Sequence, residues 1–520
     1  MSTPGTLGSA GTGAGTGMGA AASGVGTLDG TGVGQAALAR PSWPTKLFFG
    51  FTAVVETTKF QIYEIFLIFY YAQVLGLKGS LAGLAVAIAI IADAVLDPLI
   101  GSYSDSFRGR FGRRHTLMFL AIVPTGIFVW LLFSAPTGLG QAGLFAWMLT
   151  LCLAVRIAGS FYSVPAAAVA AELTEDATQR AELGIWRQAV TAAIQAGIMW
   201  AITTWVFLPT EAIPRGQENP DNYPRFALLV AALLMLAALI GAAGTLRPIM
   251  AFERARVAVK PRAFAVLASL KATWFALVDL RNFRMLFLGL LFAGVMGSYF
   301  RSLNLYLGTY FWELSTQQIG TWLISIQIAT FCAAICSRFA VGRVEPKVLY
   351  VSGVALMLLA YVLPPLGRLL GLMPPNGSDA LVQALYFSNV VVGAGTGLIM
   401  ACSLVMFAET ADEYAYVKRE SRTGMLLAFL PLGNKMASSL GKLAAGIVVQ
   451  WVALPAGRSA VPVEPLSLQH LGIAAVSLTA VAGGVGLWFF SRYRLPRSRH
   501  AEIVRGLEAL RAATPGGELR

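Results

Sequence analysis

The sequence is poor in charged residues and has very few histidines and cysteines. Asp, Glu, Lys and Arg make up 12% of the 520 residues, and there are three His and four Cys. Soluble globular domains are about a quarter charged. The histidines form no HExxH zinc motif, and the sequence has no GxxxxGK[ST] phosphate loop. These absences argue against a membrane protease and an ATP-driven pump, so we expect no enzyme activity and no cofactor.

Apolar residues dominate what remains. They make up 56% of the chain, and the mean hydropathy is +0.67. Several apolar stretches exceed the roughly 20 residues that cross a bilayer as a helix. The sequence therefore predicts an all-α membrane protein of about twelve transmembrane helices. The predicted spans are 47–76, 81–103, 116–137, 143–171, 185–208, 225–247, 285–312, 317–338, 348–371, 380–405, 423–452 and 467–491.

The basic residues predict the orientation of these spans. The formal charge of +13 could suggest a nucleic-acid partner in a soluble protein. Here the basic residues lie in short loops, such as Arg113 and Arg114 after the second span and Lys418 after the tenth. The loops around Pro136 and Glu313 contain none. The positive-inside rule then predicts an inner-membrane protein with both termini in the cytoplasm. The expected partners are membrane lipids, and no nucleic acid is expected.

The predicted spans fall into two groups of six. The longest internal break, 248–284, is expected to be a cytoplasmic loop between an N-terminal half, 45–247, and a C-terminal half, 285–491. The loop DSFRGRFGRR after the second span and the loop SRFAVGRVEPK after the eighth are faintly alike. Two parallel six-helix repeats resemble the major facilitator fold. Residues 1–44, rich in Gly, Ala, Ser and Thr, predict a disordered cytoplasmic tail, and 492–520 predict a basic one.

Two carboxylates in the second span are the first candidates for a functional site. Asp93 and Asp97 lie four residues apart, about one helical turn, on one face of the predicted helix. Charges inside a membrane are costly and usually functional. Two neighbouring carboxylates repel each other, which invites a proton or a hard cation such as sodium between them. The alternative is a structural pair bonded to the basic loop that follows.

Three other spans carry charges whose roles the residues alone leave open. In the first span, Lys59 could be neutralised by Glu56, or both could line a pathway. Arg187, early in the fifth span, could anchor the membrane interface or bind an anionic or hydroxylated solute through its planar fork. Lys435 lies near the middle of the eleventh span, where an ammonium reaches water least easily, so a functional role is favoured.

Three ordered motifs carry a resemblance to a known family. They are DAVLDPLIGSYSDSFRGRFGRR, SVPAAAVAAELTEDATQRAELGIWRQ and AETADEYAYVKRESRTGMLLAFLPLGNKMASSLG. In these stretches the chain resembles the glycoside–pentoside–hexuronide cation symporters, from about Thr45 to Gln450. The resemblance implies a twelve-helix secondary carrier with alternating access. It also implies cation binding by Asp93 and Asp97, a sugar-side arginine at Arg187, and a lysine near both sites at Lys435.

The chain departs from the family on the sugar side. Glu56 and Thr57 stand where melibiose-type carriers have a lysine and an aspartate, Ser163 replaces a second aspartate, and Ala167 replaces a stacking tryptophan. Galactosides are therefore not the expected substrate. The resulting candidate cation ligands are Asp93, Asp97, Ser160 and Ser163, with sodium between the aspartates unless the ion is a proton. The resulting candidate substrate contacts are Glu56, Thr57, Lys59, Ala167, Arg187 and Lys435.

The predicted function is symport of a small molecule with sodium or a proton by a monomeric carrier. The expected substrate is a sugar, a glycoside or a uronic-acid-like solute. A lysolipid or another amphiphile is an alternative substrate, because Ala167 removes the sugar platform. A non-transporting sensor or assembly factor on a transporter scaffold is the alternative of another class. The costly charges of Asp93, Asp97 and Lys435 argue against that alternative.

Overall fold

A computed structural model describes residues 41–174, 176–211, 213–255, 280–419, 426–454 and 463–513. These residues are almost entirely helical and include no strand. Most of the predicted N-terminal tail, the centre of the loop predicted at 248–284, and the last seven residues of the predicted C-terminal tail lie outside the described residues. The described residues beyond Arg40 belong to one compact unit.

The first membrane segment, α1, is assembled from four helical pieces rather than one regular helix. They are Trp43–Phe51, Val54–Gln61 and two π-helical pieces, Ile62–Phe66 and Phe69–Val74. The following helices are α2 Gly79–Ser106, α3 Gly112–Leu132, α4 Gln141–Leu173, α5 Ala177–Ala201 with a π-helical extension Ile202–Val206, and α6 Asn222–Ala255 after a short 3-10 turn, Gly216–Glu218.

The second half begins with α7, Arg281–Tyr306, which is extended by a π-helical piece, Leu307–Phe311. Then come α8 Thr316–Val341, α9 Pro346–Leu369, α10 Asp379–Lys418, α11 Phe429–Val452, α12 Pro465–Ser491 and a short terminal helix, α13 Arg497–Ala513. The twelve predicted spans therefore correspond to α1–α12. This confirms the predicted all-α membrane fold.

Within the described residues, ten helices are long and apolar enough to cross a membrane. The other two predicted spans are α1 and α11. The pieces of α1 are individually short, and α11 contains Lys435 and Lys442, which lower its hydropathy. Both of these spans carry ionisable residues in the interior of the bundle, Lys59 and Glu64 in α1 and Lys435 and Lys442 in α11.

One predicted boundary was wrong by several turns. The tenth span was expected to end at 405, but α10 continues to Lys418 and contains 40 residues. At 1.5 Å per residue this is about 60 Å, twice the hydrocarbon thickness of a bilayer. The additional turns, AETADEYAYVK, are rich in polar residues, so hydropathy stops before the helix does. Helix α13 packs against this extension, where His500 Nε2 lies 3.0 Å from Asp412 Oδ2.

The two halves approach each other closely at one end, which we call the sealed end. There α1 joins α2 and α7 joins α8. Gly79 of α2 and Gly446 of α11 approach so closely that a Cβ atom on either would overlap the backbone of the other. Gln217 adds polar contacts across the halves: it donates to Thr309 Oγ1 at 3.1 Å and accepts from Thr316 Oγ1 at 2.7 Å.

The space between the halves opens toward the opposite end, where α2 joins α3. The Glu56 side chain is 48% exposed and the Asp97 side chain is 31% exposed, although both lie within membrane segments. Charged side chains at that depth face water-filled cavities or protein rather than lipid. The structure is therefore sealed at one end and open at the other, as expected of a carrier in one of two alternating states.

Candidate functional site

Asp93 is the most heavily contacted carboxylate of the predicted cation site. It lies in the middle of α2 and is only 2% exposed. From α4, Arg156 Nη1 lies 3.0 Å from Asp93 Oδ2, and Ser160 Oγ donates to Asp93 Oδ1 at 2.9 Å. From α11, Lys435 Nζ lies 2.7 Å from Asp93 Oδ2. Two cationic groups and a hydroxyl therefore hold this buried charge.

Lys435 also contacts the second aspartate and so bridges the pair. Its Nζ lies 2.5 Å from Asp97 Oδ2. The other oxygen, Asp97 Oδ1, has no hydrogen-bond partner in the part of the chain that the structure describes. Because Lys435 belongs to the C-terminal half and both aspartates to the N-terminal half, a single ammonium group links the halves through the predicted cation site.

The Glu56–Lys59 pair lies beside these groups. Lys59 Nζ is 2.8 Å from Glu56 Oε2, and Lys59 is itself only 2% exposed. Its aliphatic stem passes over Gly159, where an added Cβ would lie 2.8 Å from Lys59 Cδ. Lys59 also contributes to the electrostatic environment of Asp93. We call this set the aspartate cluster; its carboxylates are Glu56, Asp93 and Asp97, and its bases are Lys59, Arg156 and Lys435, so its formal charge is zero.

The two predicted α4 positions beyond Ser160 do not reach Asp93. Ser163 is buried one turn along the helix, and the described residues show no hydrogen bond from its hydroxyl to either aspartate. Ala167 lies on the same helical face and is exposed. In α1, Thr57 Oγ1 donates to the carbonyl of Ala53 at 3.0 Å and is thus occupied within its own helix.

Arg187 is half-buried in α5, and its guanidinium lies 5.9 Å from the centre of the Phe49 ring. Among the described residues no carboxylate lies within salt-bridge distance of it. The predicted sugar-side arginine therefore forms no close ion pair with a described carboxylate, which leaves its planar fork able to bind an anionic group.

A second ionic cluster, one turn or more away, was not predicted as a site. Glu64 of α1 is 2% exposed and forms an ion pair with Lys442 of α11, which is 1% exposed. Arg301 Nε of α7 lies 3.4 Å from Glu64 Oε2, and Ser438 Oγ donates to Glu64 Oε1 at 3.0 Å. We call Glu64, Arg301 and Lys442 the glutamate cluster. The sequence does show three ionisable residues inside apolar spans, which could have marked this cluster. It does not show that they pair, because the pairing depends on tertiary packing.

A cavity lies beside the glutamate cluster, between α1, α5, α7 and α8. Its lining mixes apolar and polar side chains. Phe60 is among the apolar ones, and the polar ones are Gln61, Glu64, Gln195, Arg301, Asn304 and Gln327. Both halves contribute to it. The cavity thus brings amide groups, a guanidinium and an aromatic ring to the centre of the bundle.

The ionisable groups of this central region carry a surplus of positive charge. The aspartate cluster is neutral, the glutamate cluster has two bases for one carboxylate, and Arg187 adds a further base. The formal sum is +2. Uncompensated charge in a low-dielectric interior is costly. This region is therefore electrostatically suited to an anionic group.

Comparison with known proteins agrees with the fold and the motifs. Residues 48–497 match the family described as MFS/sugar transport protein. An isoprimeverose transporter of Lactiplantibacillus pentosus is 22% identical, over 85% of this chain and 88% of its own length. The putative glycoside/cation symporter YagG of Escherichia coli strain K12 is 25% identical, over 86% and 91%. The crystal structure of the nucleoside transporter NupG shares the fold, with a TM-score of 0.56 at 13% identity, over 87% and 98%.

Proposed function

The chain belongs to the MFS/sugar transport family, and on that premise we propose that it is a cation-coupled symporter of a sugar, a glycoside or a uronic-acid-like solute. It is a multi-pass membrane transporter and not an enzyme. The relatives named as isoprimeverose and glycoside carriers support the substrate class. The observation that carries the coupling proposal is the contact of Lys435, from one half, with both Asp93 and Asp97 of the other.

In this proposal Lys435 acts as a stand-in for the coupling cation. Its ammonium lies between the two carboxylates, where sodium or a proton would otherwise neutralise them. Asp97 Oδ1, a buried oxygen that has no hydrogen-bond partner in the described part of the chain, is the acceptor that we assign to the ion. An ion bound there weakens the hold of Asp97 on Lys435. The released ammonium then becomes available to an acceptor on the substrate.

The same exchange couples the two ligands energetically. With a monovalent cation added, the aspartate cluster changes from neutral to +1, so an anionic or hydroxyl-rich substrate is bound more favourably. Coupling energies between two sites are typically about 1–3 kcal/mol. By reciprocity, the substrate strengthens cation binding by the same factor. This is the thermodynamic requirement for symport.

The positive surplus favours an acidic sugar over a neutral one. Arg187 is the cation best placed for a carboxylate, because no described protein carboxylate occupies it. An arginine can bind a carboxylate through two parallel hydrogen bonds. Glu56, Lys59, Ala167 and Lys435 remain proposed substrate contacts from the sequence. Neither the family match nor the relatives favour the amphiphile and sensor alternatives.

We place the carrier in the inner (plasma) membrane as a monomer with both termini in the cytoplasm, on the basis of the basic loops. The open end then faces the cytoplasm, and the sealed end faces outward. The structure would correspond to the state that releases substrate and cation inside the cell, in which Lys435 already occupies the position of the departed ion.

Uptake into proteoliposomes tests this function. Purified protein is reconstituted, and uptake of radiolabelled D-glucuronate and methyl β-D-xyloside is measured under an imposed sodium gradient, an imposed pH gradient, or neither. We expect one gradient to drive accumulation above equilibrium. Asp93→Asn serves as the uncoupled control. Equal uptake under all three conditions would show that no cation is coupled, and no uptake of any sugar would exclude the substrate class.

A further inference from the structure

The cavity beside the glutamate cluster contains two buried acceptors that the protein does not satisfy. Gln61 Oε1 and Asn304 Oδ1 have no hydrogen-bond partner among the described residues, and the two side chains are 4% and 5% exposed. Gln61 Nε2 donates to the carbonyl of Gln195 at 3.3 Å, which fixes its amide so that the oxygen remains free. Buried acceptors without donors are rare and costly, so they indicate a missing donor.

An exposed aromatic ring lies in the same cavity. Phe60, one residue before Gln61, is 45% exposed, and the guanidinium carbon of Arg301 lies 5.5 Å from its ring centre. A phenyl face can pack against the apolar C–H face of a sugar ring, with hydroxyls projecting from the ring edge. In α4 the side chain of Ala167 offers no such face. In this cavity Phe60 of α1 provides an aromatic surface for a sugar.

The geometry points to a sugar-ring subsite formed by Phe60, Gln61 and Asn304, with Arg301 at its edge. The sugar packs its C–H face on Phe60, and two of its hydroxyls donate to Gln61 Oε1 and Asn304 Oδ1. A polyol meets the requirement because each hydroxyl supplies a donor. This inference rests on the proposed transport of a sugar-like solute and assigns the part of the chain that recognises its ring.

The subsite also explains how an uncharged sugar ring could help the two halves of the carrier to close around the substrate. Phe60 and Gln61 belong to the N-terminal half, whereas Arg301 and Asn304 belong to the C-terminal half. A ring bound between them contacts both halves at once, next to Glu64, which Arg301 already contacts across the same boundary. The carboxylate of an acidic sugar would remain free to lie toward the surplus cations.

Direct binding measurements test the subsite separately from transport. The wild type in nanodiscs is titrated calorimetrically with D-xylose, D-glucose, D-glucuronate and their methyl glycosides. We expect Phe60→Leu and Gln61→Leu each to raise the Kd of the best ligand by about tenfold or more, because each loses one specific contact. Gln61→Asn, which keeps an amide with an acceptor oxygen, should lose less affinity than Gln61→Leu. Phe387→Leu, at a phenylalanine of α10 that is 71% exposed, is the matched control and should leave the Kd unchanged.

The outcomes distinguish the subsite from the transport function. If the wild type binds a sugar and Phe60→Leu and Gln61→Leu keep its Kd, the subsite is wrong and the proposed function stands. If Gln61→Leu raises the melting temperature without changing the Kd, the cavity held only water and the subsite is again wrong. If the wild type binds no member of the panel, the sugar function itself fails and the subsite fails with it.

Discussion

Replacing Lys435 with methionine separates a coupling role of this residue from a structural one. Methionine keeps an unbranched chain of similar length and removes the charge. In the wild type, an incoming cation must displace an ammonium that lies 2.7 Å from Asp93 Oδ2 and 2.5 Å from Asp97 Oδ2. In Lys435→Met that competitor is gone. We therefore expect the variant to bind the coupling cation more tightly and to lose uphill accumulation, because the ion no longer exchanges with a protein group.

The expected change in cation affinity follows from the partners that each aspartate keeps when Lys435 is replaced. Breaking a buried ion pair costs about 3–5 kcal/mol. Asp93 keeps Arg156 and Ser160, so the loss falls mainly on Asp97, whose side chain is 31% exposed and is partly resolvated. Discounting for that exposure leaves about 1.4–2.8 kcal/mol that cation binding recovers. This corresponds to about 10- to 100-fold tighter binding.

The assay is a thermal-shift titration of purified protein with sodium chloride, using choline chloride to hold ionic strength constant. For sodium coupling, the half-maximal concentration should fall by about 10- to 100-fold in Lys435→Met. For proton coupling, the half-point of the pH response should move upward by about 1–2 pH units, because tighter proton binding persists to higher pH. Lys442→Met, on the same helix but paired with Glu64, is the control and should keep the wild-type response. An unchanged or weaker cation response in Lys435→Met would refute the exchange.

Three further predictions address the site and the seal. Asp93→Asn and Asp97→Asn should each abolish gradient-driven accumulation in proteoliposomes while the protein still inserts; accumulation in both would remove the aspartates from the coupling site. Arg187→Ala should erase the preference for D-glucuronate over neutral D-glucose in competition uptake, and a preserved preference would contradict the anion role. Gly446→Val should lower the free energy of unfolding by about 1–3 kcal/mol through overpacking, and so lower the melting temperature. Gly484→Val, whose Cβ meets open space, should leave both unchanged.

The helices could be predicted from the sequence because lipid imposes a simple requirement on composition. Each of the twelve predicted spans corresponds to a helix or, in α1, to a series of helical pieces. The end of α10 could not be predicted in this way, because its last turns leave the hydrocarbon and their polarity no longer reports on the helix. Helix α13 was missed for the same reason, since its sequence, RSRHAEIVRGLEALRAA, is not apolar.

The candidate site was predictable where a single residue carried its own signal. Asp93, Asp97 and Lys435 stand out because an ionisable group inside an apolar span is rare. Ser160 could be added from its place on the α4 face. Contacts between side chains of different helices could not be predicted, because a single sequence does not show which helices are neighbours. The partner of Asp93 on α4, Arg156, therefore received no role.

The glutamate cluster was missed for the same reason, although each of its members lies inside an apolar span. Glu64 contacts residues more than 230 positions away in the chain. The orphaned amide oxygen of Asn304 becomes visible only once its surroundings are known.

The charge surplus of the central region also bears on the membrane potential, because the charge of the cargo that it favours decides how the potential acts on transport. A neutral sugar moving with one monovalent cation transfers one elementary charge per cycle, and a potential of 100 mV then contributes about 2.3 kcal/mol to accumulation. A singly charged uronate moving with one cation transfers none, so its cycle is electroneutral and only the chemical gradients drive it. The second case is the one that follows from the proposed function, in which the two extra positive charges of the central region favour an acidic sugar. Its acidic cargo would enter without being opposed by the cell's negative interior, which otherwise excludes anions.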